Sequence, residues 1–204
     1  MMAACQQRLT PLLTGALLLA SPARAAPTSF SISLAADASP IEQYAAGELA
    51  DWLGNITGSR PTTAAPGAGA GKPTLAVGVG AAKALGLSAS ALEGLGNESF
   101  VLSSNASGLP KDGRSFALSG GPGSTRGTMY AVNRFLRELG VRFIAHDETV
   151  LPAQLPDPIP PLDLKVELAY EYRDNCEWPA RHPPWASRVG YNGPSAHGEG
   201  GYMK

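Results

Sequence analysis

The sequence predicts an α/β or α+β domain, a small mixed β-sheet with helices packed on it, and three stretches carry that prediction. Ser115 to Ala145 reads as strand, glycine-rich turn, amphipathic helix, strand. Pro40 to Ile56 reads as a capped amphipathic helix. Thr74 to Val79 (TLAVGV) is apolar on both faces, as a strand covered on two sides must be.

Taken in order, Phe30-Ser31-Ile32-Ser33-Leu34 alternates and predicts a half-buried strand. Ser39-Pro40 with Glu42 is a capping box with proline at the first helical position. Ile41, Tyr44, Ala45, Leu49, Trp52, Leu53 and Ile56 then form one stripe, and Gly58 stops the helix. Thr62 to Lys72 lacks periodicity and reads as an exposed loop. After the Thr74–Val79 strand come a short helical piece, Ala81 to Leu85, and a loose segment to Asn97. Glu98–Ser103 and Ser115–Ser119 are the arms of a hairpin, joined by a turn with Gly108, Pro110, Asp112 and Gly113. The cluster Gly120-Gly121-Pro122-Gly123 breaks the second arm, and Ser124 or Thr125 is placed to cap the next helix. Met129, Val132, Phe135, Leu136 and Leu139 give that helix one buried face. Gly140 ends it, Val141–Ile144 starts a strand, and Glu148–Leu151 is a short edge strand.

The organisation expected is a signal peptide over 1–25, an α/β N-terminal domain over 27–152, a proline-rich connector over 153–163 and a second unit over 164–204 that opens with a strand, Leu164 to Tyr172. Arg8, the apolar run Leu12–Ala20 and Ala23-Arg24-Ala25 have the three-part pattern of a secretory signal. The expected address is therefore secreted or extracellular (periplasmic in a bacterium), with no membrane span after cleavage. Three of the six asparagines, Asn55, Asn97 and Asn105, stand in N-x-S/T sequons and are candidate glycosylation sites on a eukaryotic secretory route. Cys5 leaves with the signal, so Cys176 has no disulfide partner and reads as an apolar filler.

Of 204 residues, 44% are hydrophobic, enough for a real core, and the net charge of −1 comes without any basic run. A nucleic-acid partner is therefore not expected. No metal or cofactor is expected either. Gly121-Pro122-Gly123-Ser124-Thr125-Arg126-Gly127 lies between strand and helix, with Asp147 where a ribose-binding acid would sit, but its spacing is GxGxxxG and Pro122 removes an N–H. It reads as a structural turn, with a nucleotide-binding oxidoreductase fragment as a weaker alternative.

The functional candidates follow the connector. In Glu171-Tyr172-Arg173-Asp174-Asn175, an arginine at a strand's C-terminal end can grip vicinal hydroxyls or a carboxylate, and Trp178 and Trp185 can offer faces to a sugar ring. The competing reading is an internal Arg173–Asp174 ion pair with both tryptophans in the core. Glycosidic hydrolysis needs two carboxylates, and Glu171, Asp174, Glu177 and Glu199 show no spacing that selects a pair. His182 and His197 belong to no motif, and there is no GxSxG elbow.

The block RGTMYAVNRFLRELGVRFIAHDETVLP, Arg126 to Pro152, resembles the end of the α/β domain that precedes the barrel in α-glucuronidase-like glycoside hydrolases, family 67-like, and related domains before β-hexosaminidase-like barrels. Ser39-Pro40 with Glu48-Leu49, then this block, then EYRD (Glu171–Asp174) stand in the family's order. The resemblance spans about Phe30 to Tyr202 and is most specific over Arg126–Phe143. It implies a hexosaminidase N-domain-like fold leading into the first strand or strands of a (β/α)8 barrel near Tyr170, and a poly- or oligosaccharide substrate. It implies that Arg126 and Gly127 belong to a structural turn, that Arg173 contacts sugar with Asp174 beside it, and that Asn192 lies near the site. His197, in a glycine-rich loop, completes the candidate substrate-binding set. The family's acid and base come from later barrel strands, and a barrel takes roughly 250 residues. No hydrolysis is therefore expected from this chain alone, which reads as a fragment or a short product, with a secreted carbohydrate-binding module as the alternative.

Overall fold

The computed structural model describes residues 29–68, 71–170, 172–174 and 182–193. The expected signal peptide and Glu171, Asn175, Cys176, Glu177, Trp178, His197 and Glu199 lie outside them. Among the described residues no helix is long and apolar enough to cross a membrane.

Strand β1 (Ser31–Leu34) leads into helix α1 (Pro40–Thr57), whose capping box forms as expected. Glu42 accepts from the Ser39 backbone N–H at 2.8 Å and from its hydroxyl at 3.0 Å. Gly58 takes the left-handed conformation, φ 76°, that ends the helix. The segment expected to be loop contains a short strand, β2 (Thr62–Ala64), which adds to the edge of β1. Three largely exposed residues leave no alternation to read.

Strand β3 (Thr74–Val77) stops two residues earlier than expected, because Gly78 at φ 87° turns the chain into α2 (Val79–Ala84). The segment expected to be loose holds one helical turn, α3 (Ala89–Leu92), where the Ser88 hydroxyl accepts from the Ala91 N–H. Strands β4 (Phe100–Ser103) and β5 (Phe116–Gly120) form the expected antiparallel hairpin. Helix α4 (Gly127–Glu138) follows the glycine turn, and the Ser124 hydroxyl accepts from the Gly127 N–H at 2.7 Å.

The sheet order is β2-β1-β3-β5-β4, with β1, β2, β3 and β5 parallel and β4 reversed. Side chains alternate across it. Ile32, Leu75, Val77, Leu102, Phe116 and Leu118 join α1 and α4 in the larger core. Ala76, Ala117 and Val101 belong to the smaller core around α2 and α3. The alanines let the short helices approach closely, while Phe116 packs on Phe135 of α4 with ring centroids 5.1 Å apart.

Three features of the chain beyond α4 differ from the expectation or add to it. Strands β6 (Arg142–Phe143) and β7 (Thr149–Val150) pair with each other as a separate hairpin, so β7 is not an edge of the main sheet. The proline-rich stretch, expected as a connector, packs against the domain. Ile159 and Leu162 are buried in the larger core, and Arg114 pairs with Asp157. The strand expected over 164–172 as the opening of a barrel is β8 (Asp163–Val166), and it pairs antiparallel with β4 as the sixth strand of the domain's own sheet. Its backbone finds partners on β4, so it closes this sheet. No barrel strand is formed among the described residues. Helix α5 (Pro183–Val189) follows and lies against α4.

Candidate functional site

The residues after β8 return to the start of β4, and Glu98 is the reason. Its Oε1 accepts from Arg126 at 2.7 Å, and its Oε2 accepts from Arg173 at 2.6 Å and from the Asn192 amide at 2.8 Å. Glu98 sits just before β4, Arg126 just before α4, and Arg173 and Asn192 flank α5. One carboxylate thus ties four segments together. Glu98, Arg126 and Arg173 have side-chain exposures of only 11%, 15% and 19%, so the charges are largely screened from water. Burial pushes the Glu98 carboxyl up, but the hydrogen bonds from Arg126, Arg173 and Asn192 outweigh it and hold the group below the usual glutamate value.

Each of the three guanidinium nitrogens of Arg173 donates a hydrogen bond. Besides Glu98 it reaches the Gly190 carbonyl at 2.8 Å and the Tyr170 carbonyl, and its guanidinium lies 5.7 Å from the Tyr130 ring centroid. Asn192 accepts from the Arg173 N–H at 2.7 Å. Burial, and then the charge on Glu98, raise the Tyr130 phenol above its ordinary value. Both oxygens of Glu98 are engaged, and the arrangement fixes geometry.

Of the four residues expected at a substrate site, the structure brings Arg173 and Asn192 together. Asp174 accepts from the exposed Tyr172 hydroxyl at 2.9 Å, and Arg173 pairs with Glu98, a carboxylate that neither reading of the sequence names as its partner. His197 lies outside the described residues. Glu98 escapes the sequence reading because it stands there only as the first residue of a hairpin arm, and no local signal marks a carboxylate that two distant arginines share. His182 stacks on His146 with ring centroids 3.9 Å apart, and Trp185 is half-buried against the core. Asn55, Asn97 and Asn105 are all exposed, although the Asn97 side-chain oxygen accepts from the Thr125 N–H and hydroxyl.

The glycine turn is filled from within. The Gly120 N–H donates to Thr128 Oγ1, the Gly127 N–H to Ser124 Oγ, and the Thr125 N–H to Asn97. A Cβ on Gly127 would stand 2.3 Å from the Ser99 carbonyl oxygen, so glycine is needed for close packing of α4. Asp147 is exposed beside His146. In open α/β sheets ligands settle where strand order reverses, here between β1 and β3. That crevice is occupied by the carboxylate of Glu42, which also accepts from the Val79 N–H at 2.8 Å and lies against Gly78. Among the described residues no group of acids, histidines and cysteines is arranged to hold a metal.

No protein-family model matches this chain, and no curated protein does. Among solved structures it is similar to a family GH115 4-O-methyl-alpha-glucuronidase with specificity for decorated arabinogalactans, at 18% identity and a TM-score of 0.44. The match covers 62% of this chain and 17% of that one.

Proposed function

We infer that this chain is the N-terminal, non-catalytic part of a secreted, α-glucuronidase-like glycoside hydrolase acting on polysaccharide. One observation carries the reading. Arg126, at the head of the block that resembles the family, and Arg173, in the EYRD segment that follows it, grip the same carboxylate of Glu98. Two separate parts of the sequence resemblance are therefore one structural unit. In this reading the domain positions the chain at Arg173, and the catalytic acid and base belong to a longer product.

The test is the transcript beyond the codon for Lys204, followed by expression of whatever reading frame it encodes. Release of sugar from an acidic polysaccharide by the longer product, and none by this chain, is expected. A stop codon directly after Lys204, or turnover by this chain alone, would overturn the reading. A carbohydrate-binding module without catalysis is the second reading, favoured by the cleft described next; its mark is saccharide affinity with no turnover in any product. The nucleotide reading draws no support from a glycine turn whose Gly120, Thr125 and Gly127 N–H groups are taken by side chains of the domain itself.

A further inference from the structure

A cleft of about 230 Å³ opens between α4, β8 and α5. One wall is a single face of α4: Tyr130, Asn133, Arg134 and Arg137 fall at i, i+3, i+4 and i+7. Phe100 and Val166 contribute apolar surface, and Arg173 and Arg188 complete a lining with four arginines and no carboxylate among the described residues. Three of these arginines are neutralised from outside the cleft. Arg173 pairs with Glu98, Arg188 with Glu48, and Arg134 with Glu138.

Arg137 is different. Its described side-chain bond is to the Arg188 carbonyl at 2.9 Å, and no carboxylate pairs with it among the described residues. Burial, and then the like charges of Arg134 and Arg142, pull its guanidinium below the ordinary arginine value. An anion entering the cleft would relieve that repulsion, and the planar fork of arginine suits a carboxylate or sulfate. The apolar surface suits the C–H face of a ring.

The geometry points to this cleft as a binding site for a monosaccharide-sized acidic ring, its carboxylate or sulfate held by Arg137 with Arg134 beside it. The choice of a sugar as the ring rests on the glycoside hydrolase-related reading; the requirement for an anion rests on the arginines.

Titration calorimetry on the full chain at low salt tests it, with galacturonate, galactose 6-sulfate, galactose, acetate and inorganic sulfate as probes. Galacturonate or galactose 6-sulfate should bind at least roughly tenfold tighter than galactose, and comparison of the two identifies the preferred anion. Arg137→Gln should remove that preference, Arg137→Lys should retain part of it, and raised salt should weaken it. Because Arg137 keeps an exposed side at the surface, an unchanged denaturation midpoint will show that the variant still folds. Equal binding of galactose, unchanged affinity in Arg137→Gln, or equal binding of acetate and inorganic sulfate would overturn the proposal. Hydrolysis by a longer product is a separate readout: if it persists while acidic-sugar binding is absent, the cleft assignment fails and the hydrolase reading stands.

Discussion

Glu98 draws together Arg126, Arg173 and Asn192, which lie 28, 75 and 94 positions along the chain from it. Removing its charge leaves Arg126 and Arg173 facing each other in a poorly hydrated place. Glu98→Gln is expected to cost about 3 kcal/mol, the scale for breaking a buried pair by deleting one partner, read as a lower denaturation midpoint at unchanged m-value. The pH dependence follows from the lowered folded-state pKa. A depressed carboxyl stabilises the fold above its unfolded value and loses that contribution as pH falls through the folded one. The gap between wild type and Glu98→Gln should therefore be full at neutral pH and close progressively below pH 4.5, the ordinary glutamate value. A gap that is constant from pH 7 to pH 3 would refute the assignment.

At the scale of elements, the junction of β5 and α4 rests on a missing side chain. Alanine at 127 would gain roughly 1 kcal/mol in helix propensity, but its methyl would meet the Ser99 carbonyl at 2.3 Å. Overpacking of about 1–3 kcal/mol should win, so Gly127→Ala is expected to lower thermal stability; a rise would show that α4 can shift away from β4. The docking of α5 is also specific. Arg188 binds Glu48 through both Nε and a terminal nitrogen, at 2.8–3.0 Å, and lies 5.0 Å from the Trp52 ring centroid. Arg188→Ala should raise amide exchange across 182–193 roughly tenfold, about 1.4 kcal/mol of local stability, while Leu75 and Leu118 in the central strands stay protected. Exchange that rises equally in both places would mean that α5 and the sheet open together.

For the molecule as a whole, the sequence is legible where one segment carries its own signal. The Ser39–Glu42 box, the stripe of α1, the hairpin and the glycine-bounded α4 can all be read within a window of a few turns. What escapes such a reading depends on distant partners. Thr62–Ala64 becomes a strand only because β1 has a free edge, and Asp163–Val166 joins this sheet because β4 offers it one. Arg173 and Asn192 stand out by residue type and by resemblance, but the carboxylate that gathers them lies 75 positions from the former. The same limit applies to the cleft, whose lining comes from α4, β4, β8 and α5 and has no linear pattern beyond the helix face.

The Glu42 carboxylate in the crevice between β1 and β3 bears on how the beginning of α1 is fixed. Its bonds to Ser39 lie at the start of α1, but its bond to the Val79 N–H reaches a residue 37 positions further on. The cap is thus a local bond at the start of α1, whereas the anchor is a long-range one. The same carboxylate that starts α1 also joins it to the first turn of α2, so the beginning of the helix and the end of β3 are held in one register.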